Sequence, residues 1–268
     1  MTATLFDVTA DEIDGSFRLV QSTFHDNRSL ILARAGNVTF DSKHDGSPVT
    51  DTDIEIEKAL QRIMSQQYPA IPVFGEETGY SDDLPDACWL VDPIDGTKSF
   101  IEGVPTFTSM AALIVHGETI ASVIYNPSTD EMYTAQKGQG AYKNNERIDL
   151  NMITQSHIGL CKPELIEQLN RVVASTGTQC QSAPTGGGYG FTMVLDGKAD
   201  VRFQIRGRGW IHDYAPGALL VQEAGGAIIP VRDEVYTYSS RSFAACHPRL
   251  AEMIWSHQEF LKTLEHSA

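Results

Sequence analysis

A short apolar run, Cys88-Trp89-Leu90-Val91, stops abruptly at Asp92-Pro93-Ile94-Asp95-Gly96-Thr97. Such a run, ended by a polar segment with Pro and Gly, reads as a buried strand followed by a turn. The fold must bury Trp89 and its neighbours while presenting two carboxylates where the strand ends. Pro93 stiffens that turn, so two hard oxygen donors can face one point with little entropy to lose.

Further carboxylates stand at comparable places. Glu76 ends the strand-like Pro72-Val73-Phe74 beside Gly75, Asp213 opens a helical stretch, and Asp53 lies near the start of another. Singly, an Asp at a helix start is most often a cap, and DPIDGT alone is compatible with a simple tight turn. Together, with no paired Cys or His, the set suits Mg²⁺ or Mn²⁺ better than zinc. Gly96-Thr97 opens a short helix over Lys98 to Ile101, whose first N–H groups form an anion site. A cation on Asp92 and Asp95 next to that site would clamp a phosphate, which points to metal-assisted phosphoryl chemistry. The D-x-D-G-T loop of the haloacid dehalogenase-type phosphatases is a different motif, because Asp95 follows Asp92 by three positions and not two.

The rest of the chain alternates helix and strand signals. Helical spacing covers 9–35 and 54–68, the second capped by Thr50 or Asp51 and stopped before Pro69. Strands are expected over 108–115, 120–125 and 131–135, as an antiparallel meander. Helical spacing returns over 162–174 and after the glycine run 186–190. A strand at 199–205, a helix at 212–224 ended by Gly225-Gly226, a strand at 243–246 and a helix at 248–264 complete the chain. With no internal repeat or linker, this predicts an α/β (mixed α+β) layered fold. It is expected to be a single two-lobed domain over 1–268, with lobes near 1–150 and 151–268.

Composition narrows the function. Lys plus Arg total 20 and Asp plus Glu 35, so 20 − 35 = −15. That balance offers no footprint for nucleic acid or an anionic membrane surface, and neither partner is expected. No apolar stretch is long enough to span a bilayer, and the N-terminal MTATLFDVTADEID is acidic where a signal peptide is basic and then apolar. The four scattered cysteines form no CxxC, which favours buried free thiols. A cytoplasmic protein is expected.

Trp89-Leu-Val-Asp92-Pro-Ile-Asp95-Gly-Thr97-Lys-Ser-Phe100 resembles the first signature of the inositol monophosphatase family, and Asp213-Tyr-Ala-Pro-Gly217 through Glu223-Ala-Gly-Gly226 resembles its second. Gly75-Glu76-Glu77 and Val49-Thr-Asp-Thr-Asp53 match the family's upstream acidic segments, in order and spacing. The resemblance implies a layered α-β-α-β-α sandwich of the inositol monophosphatase and fructose-1,6-bisphosphatase type. It further implies a homodimer and Mg²⁺-dependent, Li⁺-sensitive hydrolysis of a small phosphate monoester. By the same resemblance, Glu76, Asp92, the Ile94 carbonyl, Asp95 and Asp213 would hold two metals, with Asp53 supporting a third. Mn²⁺ is a possible substitute. Thr97, paired with Glu76, would orient and deprotonate the attacking water. The N–H groups of Gly96 and Thr97 would bind phosphate, and Lys43 corresponds to a basic residue on a loop that closes over the site.

Departures from the family pattern bear on the substrate. His212 stands where the second signature usually has Trp, and could contact substrate, protonate a leaving group, or simply hydrogen-bond at a helix start. Arg206 stands where inositol phosphatases often carry a Glu seven residues before the signature Asp. With Arg202 and Arg208 it forms either a pocket for a second anion or a set of surface arginines. Gly186-Gly187-Gly188 either brings backbone close to a ligand or is only a loop. Inositol monophosphate is the family default. Histidinol phosphate, a 3′(2′),5′-bisphosphate nucleotide and fructose 1,6-bisphosphate are alternatives, and a non-catalytic partner of the transcription machinery is a further one.

Overall fold

The computed structural model describes residues 8–43, 47–77, 79, 84–184, 186–205 and 209–266. Chain order is α1 (Ala10–Asp26), α2 (Arg28–Arg34), β1 (Phe40–Ser42), β2 (Pro48–Thr50), α3 (Asp51–Gln67), β3 (Val73–Gly75), β4 (Ala87–Asp95) and α4 (Thr97–Glu102). The meander β5 (Thr108–Val115), β6 (Glu118–Asn126), β7 (Glu131–Gln136), β8 (Gly140–Lys143) and β9 (Glu146–Ile148) follows. Next come β10 (Ile158–Cys161), α5 (Ile166–Val173), β11 (Gln179–Ser182), α6 (Gly187–Leu195) and β12 (Val201–Gln204). The chain closes with α7 (Ile211–Glu223), β13 (Ala227–Pro230), β14 (Phe243–Cys246), α8 (Ala251–Ser256) and α9 (Gln258–His266).

Two sheets organise the molecule. One has seven strands in sequential order from β3 to β9, with only β3–β4 parallel. The other has five, ordered β11-β10-β12-β14-β13, parallel among the first three and antiparallel beyond. Buried Val20, Phe24, Leu60 and Met64 of α1 and α3 cover the outer face of the first sheet through Trp89, Val91 and Leu113. Leu169, Val172, Ile254 and Leu261 of α5, α8 and α9 cover the outer face of the second. Between the sheets, α6 and α7 bury Phe191, Leu195, Ala218 and Leu220 against residues of both. The layers are therefore α-β-α-β-α, as expected. Gly217 is required in the middle layer, because a Cβ there would lie 2.0 Å from the Phe191 ring.

Several elements differ from the sequence reading. The expected helix over 9–35 breaks at Asn27, whose side-chain amide donates to the Thr23 carbonyl at 2.8 Å and competes with the helical ladder. The expected C-terminal helix over 248–264 opens as a 3-10 turn at Pro248 and divides again between α8 and α9. More important for function, the chain does not turn at Asp92. Strand β4 continues through Pro93 to Asp95, with a register shift between Asp92 and Asp95 against β5. Thr50 is the cap of α3, and Gly225, at φ 82°, closes α7 by presenting the Gly226 N–H to Val221 and its own to Gln222. All four cysteines are buried and free.

Candidate metal centre and adjoining pocket

The register shift in β4 is what assembles the site. Asp92 pairs with Met110 and Asp95 with Thr108, so between these pairs two residues of β4, Pro93 and Ile94, oppose one of β5, Ser109. In a regular strand, residues three apart face opposite sides. One extra residue reverses that parity, and both carboxylates face the same way. Pro93 occupies the bulge, where its missing N–H costs no ladder bond, and its carbonyl accepts from Ser109 Oγ at 2.6 Å. Two other chain segments complete the cluster: Glu76, just past β3, and His212-Asp213 in the first turn of α7. Ligand atoms of Glu76, Asp92 and His212 all lie within 4.8 Å of one another, as do those of Asp92, Asp95 and Asp213. Asp92 belongs to both groups.

Each ligand is held by a specific partner. Asp95 accepts from the Gly187 and Gly188 N–H groups at 2.9 and 2.8 Å and from Thr108 Oγ1 at 3.0 Å, which ties β4 to the open N-terminus of α6. The glycine run exists for this contact: a Cβ on Gly188 would lie 2.3 Å from Thr108 Oγ1, and one on Gly186 would lie 3.0 Å from Asp95 Oδ2. Asp92 Oδ1 accepts from the Ile94 N–H at 3.0 Å, and Asp213 Oδ2 from the Trp210 N–H at 2.5 Å. Glu76 Oε1 meets Lys43 Nζ at 2.5 Å, and the same ammonium lies 2.9 Å from Glu77. His212, 1% exposed, places Nε2 3.6 Å from Glu76 Oε2 and 3.6 Å from Asp213 Oδ1.

The electrostatics are those of a site built for positive charge. Burial, with the charges of Glu76, Asp95 and Asp213, pushes Asp92 well above the usual carboxylate range. Burial and the Asp213 charge raise Asp95 to about 6 against its hydrogen bonds from Gly188, Gly187 and Thr108. Burial raises Asp53 to about 7, although Thr50 donates to it from both N–H and Oγ1. Glu76 is the exception: burial acts upward, but His212 and Lys43 outweigh it and hold Glu76 down to about 2. Burial opposes the charged forms of His212 and Lys43, yet their carboxylate neighbours leave both raised. Crowded carboxylates that hold protons in the absence of a cation fit a divalent metal. The donor set, mostly hard oxygen with one imidazole, fits Mg²⁺ or Mn²⁺.

The structure thus brings together Glu76, Asp92, Asp95, Asp213, His212 and Lys43, with Asp53 close enough for its charge to act on Asp92. Ile94 and Gly96 lie between these ligands and α4, which Thr97 opens after Gly96 at φ 85°. Thr97 Oγ1 donates to the Ile94 carbonyl at 3.2 Å, because the first turn of α4 folds back on the end of β4. Arg206 and Arg208 lie outside the described residues. Sequence reasoning missed Glu57, buried four residues after Asp53 on α3. Its carboxylate accepts from the Glu77 N–H at 3.0 Å, and a Cβ on Gly75 would collide with it at 1.8 Å. The available signal was its i, i+4 placement behind Asp53 on a face otherwise marked by Ile56 and Leu60.

A cavity of about 300 Å³ opens beside the cluster, with Asp95 and Asp213 in its wall together with Lys162, Arg202, Gln204 and Tyr214.

The chain has counterparts among known proteins. The model of the inositol monophosphatase family matches residues 13–263. An inositol-1-monophosphatase of Rhizobium meliloti is 30% identical over 224 residues, covering 78% of this chain and 82% of the relative. A histidinol-phosphatase of Mycobacterium tuberculosis is 29% identical, covering 76% and 87%. Among solved structures, the Thermotoga maritima IMPase superposes with a TM-score of 0.78 at 23% identity over 95% of this chain and 99% of that one. An IMPase/NADP phosphatase complexed with Mg²⁺ and phosphate superposes at 0.76 and 17% identity, covering 96% and 97%.

Proposed function

The chain belongs to the inositol monophosphatase family and is a phosphoric monoester hydrolase of that metal-dependent family; from this premise we propose that the cluster around Asp92 holds two or three Mg²⁺ ions for hydrolysis of a small polar phosphate monoester. The observation that carries the reading is that Asp92 lies within ligand reach of Glu76 on one side and of Asp95 and Asp213 on the other, one carboxylate shared between two groups of donors, with His212 beside the first.

Bound there, the cations would supply Lewis acidity toward water and the phosphoryl oxygens. Glu76, Asp92, Asp95, Asp213 and the Ile94 carbonyl would hold them, with Asp53 supporting a third. The N–H groups of Gly96 and Thr97 would receive the phosphoryl oxygens. Thr97 Oγ1 and the Glu76 carboxylate would orient the attacking water, with Glu76 accepting its proton. As the new P–O bond forms in line, the ester P–O bond breaks, and His212 Nε2 would return a proton to the leaving oxygen. Lys43, Asp95, Arg206 and His212 are the proposed substrate contacts.

Inositol monophosphate remains the default substrate, with histidinol phosphate second because a relative of nearly equal identity carries that name. A bisphosphate nucleotide and fructose 1,6-bisphosphate follow. Among the described residues no helix is long and apolar enough to cross a membrane. A homodimer, Li⁺ sensitivity and a cytoplasmic location complete the reading. A Vibrio cholerae relative named a Nus factor, 25% identical, keeps a regulatory binding role as the second reading. Phosphate release from these four substrates, with and without Mg²⁺ and Li⁺, tests the reading. Mg²⁺-dependent, Li⁺-inhibited release from one or more supports it, and no release from any favours the binding role.

A further inference from the structure

Arg202 is the buried charge that the proposed chemistry leaves unused. It sits on β12 near the middle of the five-stranded sheet, between Leu160 of β10 and Ala245 of β14, and is 6% exposed. Its guanidinium carbon lies 4.6 Å from the Phe191 ring centroid, so one face of the cation is stacked. Stacking does nothing for the N–H groups, which point out along the edges of the guanidinium plane. Among the described residues no hydrogen bond reaches Nε or Nη1, and Asp95 and Asp213 act on the group only through space.

The chain makes room for this arrangement. A Cβ on Gly190 would lie 2.6 Å from Arg202 Nε, and one on Gly187 would lie 3.6 Å from Nη2. The same run that grips Asp95 therefore also opens a slot for the guanidinium. An apolar side chain of similar length would fill the space beside Phe191 without burying donors that lack acceptors. Arg202 also lines the cavity of about 300 Å³ whose wall includes Asp95, Asp213 and a second basic residue, Lys162. The cavity shares Asp95 and Asp213 with the carboxylate cluster, so a group bound beside Arg202 would lie next to the proposed reaction centre.

Resting on the phosphatase reading above, but against its default order of substrates, we propose that the preferred substrate carries a second anionic group, a carboxylate or a second phosphate, which inositol monophosphate and histidinol phosphate lack, and that Arg202 receives it. A planar donor edge suits either oxyanion. Recognition of that group by a buried cation would discriminate strongly against a neutral counterpart.

Matched pairs of substrates test this: 3-phosphoglycerate against glycerol 3-phosphate for the carboxylate, and fructose 1,6-bisphosphate against fructose 1-phosphate for the phosphate. Wild-type protein is expected to favour the more anionic member of at least one pair by about tenfold or more in kcat/KM, expressed mainly in KM. Which pair shows the preference identifies the anion. Arg202→Met should collapse that preference toward unity, and Arg202→Lys should restore part of it. Mg²⁺-dependent hydrolysis without a preference in either pair would overturn the anion subsite and leave the phosphatase reading standing. No hydrolysis of any of the four, with release from inositol 1-phosphate or histidinol phosphate under the same conditions, would overturn the anion subsite alone, and no release from any of the six would overturn both. A preference that survives Arg202→Met would remove Arg202 from the role. The wild-type comparison stands even if the Met variant fails to fold.

Discussion

Asp92 lies within ligand reach of Glu76 and His212 on one side and of Asp95 and Asp213 on the other. It is also buried among like charges that raise its pKa. Asp92→Asn removes one negative charge with little change of shape. Mg²⁺-dependent turnover should fall by about 10³-fold or more, the scale of transition-state charge stabilisation supplied by a metal. In chelator the same variant should melt higher than wild type at alkaline pH, where wild-type Asp92 is driven to ionise among like charges, and the difference should shrink as the pH falls and Asp92 takes up its proton. Phosphate release and a thermal melt in chelator check the two halves. Glu57 acts one step further out, through the Glu77 N–H. Glu57→Ala leaves that donor without its acceptor and a void beside Gly75. It should weaken apparent Mg²⁺ affinity by about tenfold, as losses of residues that orient metal ligands do. Titration calorimetry measures this directly.

At the scale of elements, the bulge in β4 and the glycine-rich start of α6 aim the carboxylates. Gly188→Ala would drive a methyl group into Thr108 Oγ1 and Met110. The expected cost is about 1–3 kcal/mol of stability, with lower Mg²⁺ affinity as α6 moves off Asp95. Urea unfolding and metal titration test both. The carboxylates that the structure gathers, Asp92, Asp95, Glu76 and Asp213, were legible in the chain as candidates because hard donors stood where apolar or helical patterns began or ended. The bulge was not, since Pro93 reads equally as a turn and only pairing with β5 shows that the strand continues. Strands β1, β2, β8, β9, β10, β11 and β13 also escaped the reading. They are three or four residues long, and Gln179–Ser182 is polar enough to pass for loop. Arg202 was grouped with Arg206 and Arg208 by sequence proximity, whereas its place in the sheet core separates its environment from that of a surface arginine.

The whole molecule puts its charge problem at the junction of its layers, and stability should respond to pH accordingly. Asp53 at about 7 and Asp95 at about 6 lie above the roughly 3.9 of an unfolded Asp, so between these values the folded state binds more protons than the unfolded one. Their contribution is full below about pH 4 and is lost as pH rises through 6 and 7. The raised His212 acts in the same direction, its contribution being lost as pH climbs through its folded pKa. The depressed Glu76 changes stability only at lower pH. In chelator, the urea midpoint should therefore fall between pH 5.5 and 8. Saturating Mg²⁺ should reverse that slope, because the cations bind the deprotonated ligands. A midpoint in chelator that rises over this range would contradict the electrostatic description. The most direct measurement follows phosphate release from inositol 1-phosphate and histidinol phosphate as Mg²⁺ is returned to chelator-treated protein, with Asp92→Asn in parallel. Carboxylate-held cations as the source of activity predict near-zero release in chelator, saturable recovery in the wild type and none in the variant. Release that ignores chelator, or that recovers equally in both proteins, would contradict it.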